Sequence, residues 1–263
     1  MRILLPPSEG KSSGGDGPPL AELGFGPGPV GRHRARLCAA VQRAATRTRR
    51  TAMNAFALPE AVADAAITAN AVVITSATRP ALDRYAGVVF DGLRTATMTG
   101  AQRAAAEEHV LVFSGLFGAL GGGDPVPDYR VPAASVLPRI GLVGTSWRPV
   151  LTAALPARLG AGLVVDLRST DYAAMWRAPK TLDCVSVRIL TEMPDGRLMV
   201  VSYVSKLAKG RLARALVERA AAGEPATASA DVVRAWVESG LGLPAPGTPA
   251  GPGRLELITA PPG

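Results

Sequence analysis

The sequence predicts a single α/β or α+β domain, and three observations carry that prediction. Ile3-Leu4-Leu5 is a short apolar run stopped by Pro6-Pro7, the pattern of a buried strand that ends abruptly. Residues 184–206 hold two alternating or β-branched runs around "MPDGR", in which Asp195-Gly196 suits a tight turn, so they read as a β-hairpin. Between and after these lie alanine-rich stretches, notably residues 31–50 and 205–222, with the composition of helices.

In chain order, residues 10–31 are rich in Gly and Pro and read as an irregular loop. "GRHRARLCAAVQRAATRTRR" follows as a helix that carries seven arginines and no acid. "NAVVITSATRP" reads as a strand leading into a loop, and "RPALDRYAGVVFDGL" mixes helix and turn signals. Residues 101–108 read as a helix, "HVLVFSGLFGAL" as a buried apolar segment, and "GGGDPVPDYRVP" as a breaker-rich loop. Residues 147–159 suit an amphipathic helix, and residues 163–165 a buried strand ending in polar residues. A basic helix leaves the second strand of the hairpin, and "ADVVRAWVESGLGL" is a short helix ended by glycine. No repeat or linker divides the chain. Residues 1–225 are expected to form the domain. The helix and Pro/Gly-rich tail of 226–263 are expected to pack on it or fray from it.

Bulk properties narrow the function. With 263 residues, 48% of them hydrophobic, the chain is long enough for a sizeable core. No apolar run approaches the roughly 20 residues that span a bilayer, and the first residues lack the pattern of a signal peptide. Cys38 and Cys184 stand far apart in no metal spacing, as expected of two free thiols in the cytoplasm. The net charge of +8 favours anionic partners: nucleic acid, or a nucleotide-like anion. The 29 basic residues include only four lysines, at positions 11, 180, 206 and 209. A lysine kept in an arginine-dominated chain suggests a place for a compact ammonium.

The chemistry-bearing residues sit where the three expected strands end. The first offers Ser8, Glu9 and Lys11; the second Asp166, Arg168, Ser169, Asp171 and Tyr172; the third Ser202, Tyr203, Ser205, Lys206 and Lys209. In open α/β sheets ligands bind outside strand ends, where loops and helix starts offer polar groups over a rigid floor. If the ends converge, Ser8, Glu9, Lys11, Asp166 and Lys206 are the candidate catalytic set. Ser114, Gly115, Tyr129, Arg130, Arg168, Ser169, Tyr172, Lys209 and Arg214 would then bind an anionic ligand. Each element also has a structural alternative: Ser8-Glu9 as a surface turn or cap, Asp166 and Arg168 as an ion pair, the basic residues 206–214 as a solvated helix face. Arg43, Arg47 and Arg50 lie on the arginine-rich helix, where they could follow a phosphate backbone. No Walker loop, dinucleotide GxGxxG or HExxH is present, and Gly121-Gly122-Gly123 is a weak phosphate-loop candidate. With His33 and His109 in no recognisable motif, a histidine triad or zinc site is not expected. No cofactor or metal is implied, and carboxylate, lysine or tyrosine chemistry stays open.

Six segments in order, "LLPPSEGK", "YAGVVFDGL", "FSGLFGAL…DPVPDYR", "SWRPVL", "VVDLRSTDYAAMW" and "VVSYVSKLAKGRLARAL", resemble the YaaA family, also called the peroxide stress protein or UPF0246 family. The resemblance implies a mixed β-sheet wrapped by helices, a cytoplasmic protein of the peroxide response, and binding of double-stranded and other DNA forms through a positively charged cleft. It places the family's motifs on Pro7, Ser8, Glu9 and Lys11; on Ser114, Gly115, Leu116 and Gly118; on Tyr129 and Arg130; and on Lys206, Lys209 and Gly210. The chain departs from the pattern at Phe90, at Leu120-Gly121-Gly122 and after Arg130. Those departures keep open an alternative: a diverged enzyme acting on a nucleotide, nucleoside or related small molecule, for example in N-glycosidic bond chemistry, with Glu9 or Asp166 as acid/base.

Overall fold

The computed structural model describes residues 1–246 and 253–259. Ile3, Leu4 and Leu5 are fully buried in β1 (Arg2–Leu5), which lies inside a mixed, mainly parallel sheet of eight strands. A strand covered on both faces needs such an unbroken apolar run. The other strands are β2 (Val110–Ser114), β3 (Gly118–Gly121), β4 (Val164–Asp166), β5 (Cys184–Glu192), β6 (Leu198–Met199), β7 (Gly242–Pro244) and β8 (Gly253–Thr259). Their order is β7-β8-β5-β4-β1-β2-β3, with β6 paired to β5. The run β8, β5, β4, β1, β2 is parallel throughout, in the register Ile3↔Val110, Ile3↔Val165, Val165↔Val185 and Gly253↔Val185. β1, β2 and β4 therefore end along the same edge.

Helices flank the sheet in two packed groups. One contains α1 (Gly28–Ala45), α2 (Arg49–Phe56), α3 (Ala63–Ala71) and α6 (Arg148–Leu159); the other α4 (Val88–Leu93), α5 (Gly100–His109), α7 (Ser202–Ala221) and α8 (Ser229–Glu238). Thr99 and Gln102 form a capping box that starts α5, and Thr48 caps α2. α4 and α7 cross at glycines. A Cβ at Gly210 would stand 2.0 Å from the Val89 carbonyl oxygen, and one at Gly92 2.3 Å from that of Leu207. Only hydrogen at both positions allows this approach, which sets where α7 and its lysines lie.

Three expectations are corrected. The arginine-rich stretch is not one helix: it breaks after Ala45 and restarts at Arg49. Residues 70–76 do not form a strand; α3 runs to Ala71 and turns follow. The amide of buried Asn70 there pairs with both backbone polar groups of Arg130 at 2.9 Å, and this tertiary contact outweighs the β preference of a four-residue apolar run. The hairpin exists, but its second strand is only Leu198–Met199, and Ser202 already opens α7, so Ser202, Tyr203 and Ser205 are helical. In the tail, α8 and β8 are regular elements of the fold, and residues 247–252 and 260–263 lie outside the described residues.

Candidate functional site

Where β1 and β4 end, the chain opens a groove of about 1050 Å³. Its floor and one wall come from the Pro6–Gly10 loop, Gly87–Val89 and residues 167–173; the facing wall comes from β5, the start of α7 and Arg254. β5 outruns β4 beyond Ser186 and so stands up as a wall. The strand ends do converge. Ser8, Glu9, Arg168, Ser169, Tyr172, Lys206 and Lys209 all line this one groove.

The Ser8–Lys11 loop is zipped to the segment before α4. Ser12 N–H donates to the Arg84 carbonyl, Ala86 N–H to that of Gly10, and Lys11 bridges to Tyr85. The Ser8 hydroxyl donates to the Ala86 carbonyl and lies under Gly87, where a Cβ would meet it at 2.6 Å and where φ is +135°. Glycine is required there on both counts. Arg84 is fully buried, and its guanidinium donates to the carbonyls of Val126, Ser12, Gly14 and Ala77, fastening the same loop from behind.

Glu9 projects from that loop. Its Oε1 accepts a 3.2 Å hydrogen bond from the Tyr172 hydroxyl, its Oε2 lies 3.9 Å from Arg130 Nε, and its carbonyl accepts from Arg130 at 3.4 Å. Burial drives the Tyr172 phenol up, and the Glu9 charge adds to the shift, so Tyr172 stays a neutral donor. Lys11 lies behind the loop. Its ammonium donates to the Ser8 carbonyl at 3.2 Å and sits 4.2 Å from the centre of the Tyr129 ring. Burial lowers its pKa to about 8, against the opposing pull of Glu9 and Asp128.

Ser114 and Tyr129 belong to a buried hydroxyl chain rather than to the groove surface. Ser114 Oγ accepts from the N–H groups of Leu116 and Phe117, so its own proton goes to Tyr129 Oη at 2.6 Å. Tyr129 in turn lies 2.6 Å from Tyr85 Oη. Gly115 contributes its carbonyl to Trp147 Nε1 at 2.7 Å, and a Cβ there would collide with the Val131 carbonyl at 2.3 Å.

Asp166 and Arg168 form a bidentate ion pair, with Nη2 to Oδ2 at 2.6 Å and Nε to Oδ1 at 2.8 Å. Arg168 also donates to the carbonyls of Tyr172 and Trp176 and stacks 4.2 Å from the Phe113 ring. The pair braces the turn that carries Ser169 and Tyr172, and leaves Asp166 with both oxygens engaged. Lys209 donates to the Arg168 carbonyl at 3.1 Å, and burial lowers its pKa. Lys206 is exposed on the same wall.

Other expected residues lie elsewhere. Arg214 bonds Glu218, the Arg94 carbonyl and Gln102, tying α7 to α5 away from the groove. Arg43, Arg47 and Arg50 are exposed but do not line the groove. Gly121–Gly123 make a turn closed by Asp124, which accepts from Gly121 N–H at 2.8 Å. Arg188 and Arg254, not foreseen, do line the groove, and both contact Glu256, at 3.1 and 3.4 Å. The alternation of β5 exposes Arg188 and so signalled it; Arg254 sits in a tail whose Gly/Pro content hid the strand. Among the described residues no group of acidic, histidine or cysteine side chains could hold a metal ion, and no helix is long and apolar enough to cross a membrane.

Fold and site together define an α/β protein with a polar groove at the carboxyl edge of its parallel strands. The chain belongs to the peroxide stress protein YaaA family, whose model matches residues 1–230. It is 37% identical to a UPF0246 protein of Streptomyces coelicolor over 228 residues, 85% of each chain. Two further UPF0246 relatives are each 34% identical. That of Corynebacterium efficiens is matched over 89% of this chain and 92% of its own, and that of Corynebacterium glutamicum over 82% and 84%.

Proposed function

We propose that the groove binds nucleic acid or a nucleotide-like anion, and that this binding serves protection against peroxide. One observation carries the reading: the groove is lined by Arg168, Arg188, Lys206, Lys209 and Arg254 against only Glu9 and Asp171. Arg168 is neutralised by Asp166, and Glu256 offsets Arg188 and Arg254. Lys206 is then the cation most available to phosphate, and Lys209, which also serves the Arg168 carbonyl, lies one turn further along the same wall. Binding of a labelled oligonucleotide should weaken with salt, and Lys206→Ala with Lys209→Ala should reduce the slope by roughly 1.4–1.8, the counterion release of two phosphate contacts. Replacing Arg43, Arg47 and Arg50 by Ala tests whether α1 and α2 extend the contact. No binding at low salt, or an affinity and slope indifferent to the two lysines, overturns the reading. Family membership supports the physiological part: cells lacking the protein should lose survival under hydrogen peroxide, and the lysine-free variant should not restore it.

A second reading, an enzyme acting on a nucleotide or nucleoside, is favoured by Glu9. Its carboxylate faces the groove while Tyr172 and Arg130 hold it from two sides. Asp166 is the weaker acid/base candidate, because Arg168 occupies both of its oxygens. On this reading Glu9→Gln abolishes turnover of a nucleotide substrate and spares binding; normal turnover by that variant removes Glu9 from the chemistry.

A further inference from the structure

Of the chain's twelve Phe, Tyr and Trp residues, eleven are buried or partly buried. Tyr203 is the exception, with 63% of its surface exposed. It stands in the first turn of α7, three residues before Lys206, so the two side chains share a helix face. Its neighbours Val200, Ser202, Ser205 and Lys206 all line the groove. The strand leading up to it is also apolar and open, with Met199 46% and Val200 47% exposed. Tyr203 is not itself a lining residue of the groove, but an exposed ring beside those residues and one helical turn from the exposed Lys206 ammonium can receive a base on its face and the adjoining phosphate on the charge. In a duplex the base faces are covered by their neighbours; only an unpaired or splayed base offers one.

We propose that Tyr203 is a stacking platform for an unpaired nucleobase, and that the groove therefore takes single-stranded nucleic acid in preference to duplex. This rests on the reading of the groove as a nucleic-acid site and names the form it accepts. The exposed Tyr203 ring offers one planar face to a base, and the Lys206 ammonium beside it offers a charge to a phosphate.

The test measures anisotropy of three labelled probes with the full chain: a short oligothymidylate, an abasic strand of equal length, and a duplex. Tyr203→Ala should weaken oligothymidylate binding about tenfold or more and leave the abasic strand unchanged, while Tyr203→Phe, which keeps the ring, should bind as the native protein does. The native protein should bind oligothymidylate more tightly than the duplex. Equal oligothymidylate affinity in Tyr203→Ala, equal losses on all three probes, or a preference for duplex overturns the proposal. Lys206→Ala separates the two levels. If it weakens all three probes while Tyr203→Ala weakens none, stacking fails and the groove reading stands; if neither variant changes any affinity, the groove reading fails as well.

Discussion

The hydroxyl of Tyr172 lies 3.2 Å from Oε1 of Glu9, joining the end of β1 to the turn after β4 across 163 positions of sequence. The contact is made possible by the parallel pairing of β1 with β4, which ends both strands on one edge. Tyr172→Phe removes the donor and keeps the ring. A hydrogen bond to a charged but partly exposed carboxylate is worth ~1 kcal/mol, and urea unfolding should show a loss of that size. In a double-mutant cycle with Glu9→Ala, which removes the acceptor, the two losses should not add; simple additivity would mean that the contact contributes nothing.

The crossing of α4 and α7 predicts a sharper effect from a smaller change. Gly210→Ala puts a methyl group 2.0 Å from the Val89 carbonyl oxygen, a distance only backbone movement relieves. Overpacking of this kind costs ~1–3 kcal/mol, and because α7 carries Lys206 and Lys209, groove binding should fall along with Tm. Gly100→Ala is the control. It also lies in a helix, nothing stands within 4 Å of the added carbon, and it should be neutral or slightly stabilising. Equal Tm values for the two variants would contradict the close crossing.

Much of this architecture is legible in the sequence where a single local rule suffices. The apolar run before Pro6-Pro7, the residues flanking Asp195-Gly196, and the polar residues at 166–172 each announce a strand end. What stays hidden depends on contacts between distant segments. Tyr203 reads as strand until Val201 is seen to precede a helix. Arg168 reads equally as a ligand for anions or as the ion-pair partner of Asp166, and the folded geometry is what decides for the pair. Gly92 and Gly210 carry no meaning alone and acquire one as a pair. Arg84 is invisible because the carbonyls it serves belong to a loop with no regular structure.

Arg84 has no exposed surface and donates only to carbonyls. Lysine keeps the charge but lacks the planar fork that reaches several acceptors at once. Arg84→Lys should leave at least one buried carbonyl unpaired and cost ~1–3 kcal/mol for each group so stranded. The damage should concentrate on the loop that holds Glu9, so limited proteolysis should begin within residues 12–17 before Tm alone would suggest. Native-like stability and protection would show that the fork is dispensable.

The buried titratable groups give the stability a pH profile with two opposing limbs. Lys11 titrates near 8 in the folded chain because burial disfavours its charge, against its ordinary 10.5 when unfolded. Between these values the unfolded chain binds more protons, so stability rises with pH, and the penalty of the buried ammonium is fully present only below about 8. The tyrosines act in the other direction. Burial raises Tyr85 to about 12 and lifts Tyr129 and Tyr172 as well. Above their ordinary value of 10 the unfolded chain loses protons first, so their contribution, complete below pH 10, is lost as pH climbs toward the folded values. Burial also raises Cys38 and Cys184 from 9.0 to about 12, so urea midpoints measured from pH 7 to 11 should climb between about 8 and 9 and turn down above about 9, more steeply past 10. Lys11→Met should reduce the climb to the share that buried Lys209 contributes and keep the downturn, because methionine fills the same space without a proton to exchange. A Lys11→Met profile that climbs as steeply as the native one would place the lysine in water and remove it from the support of Glu9.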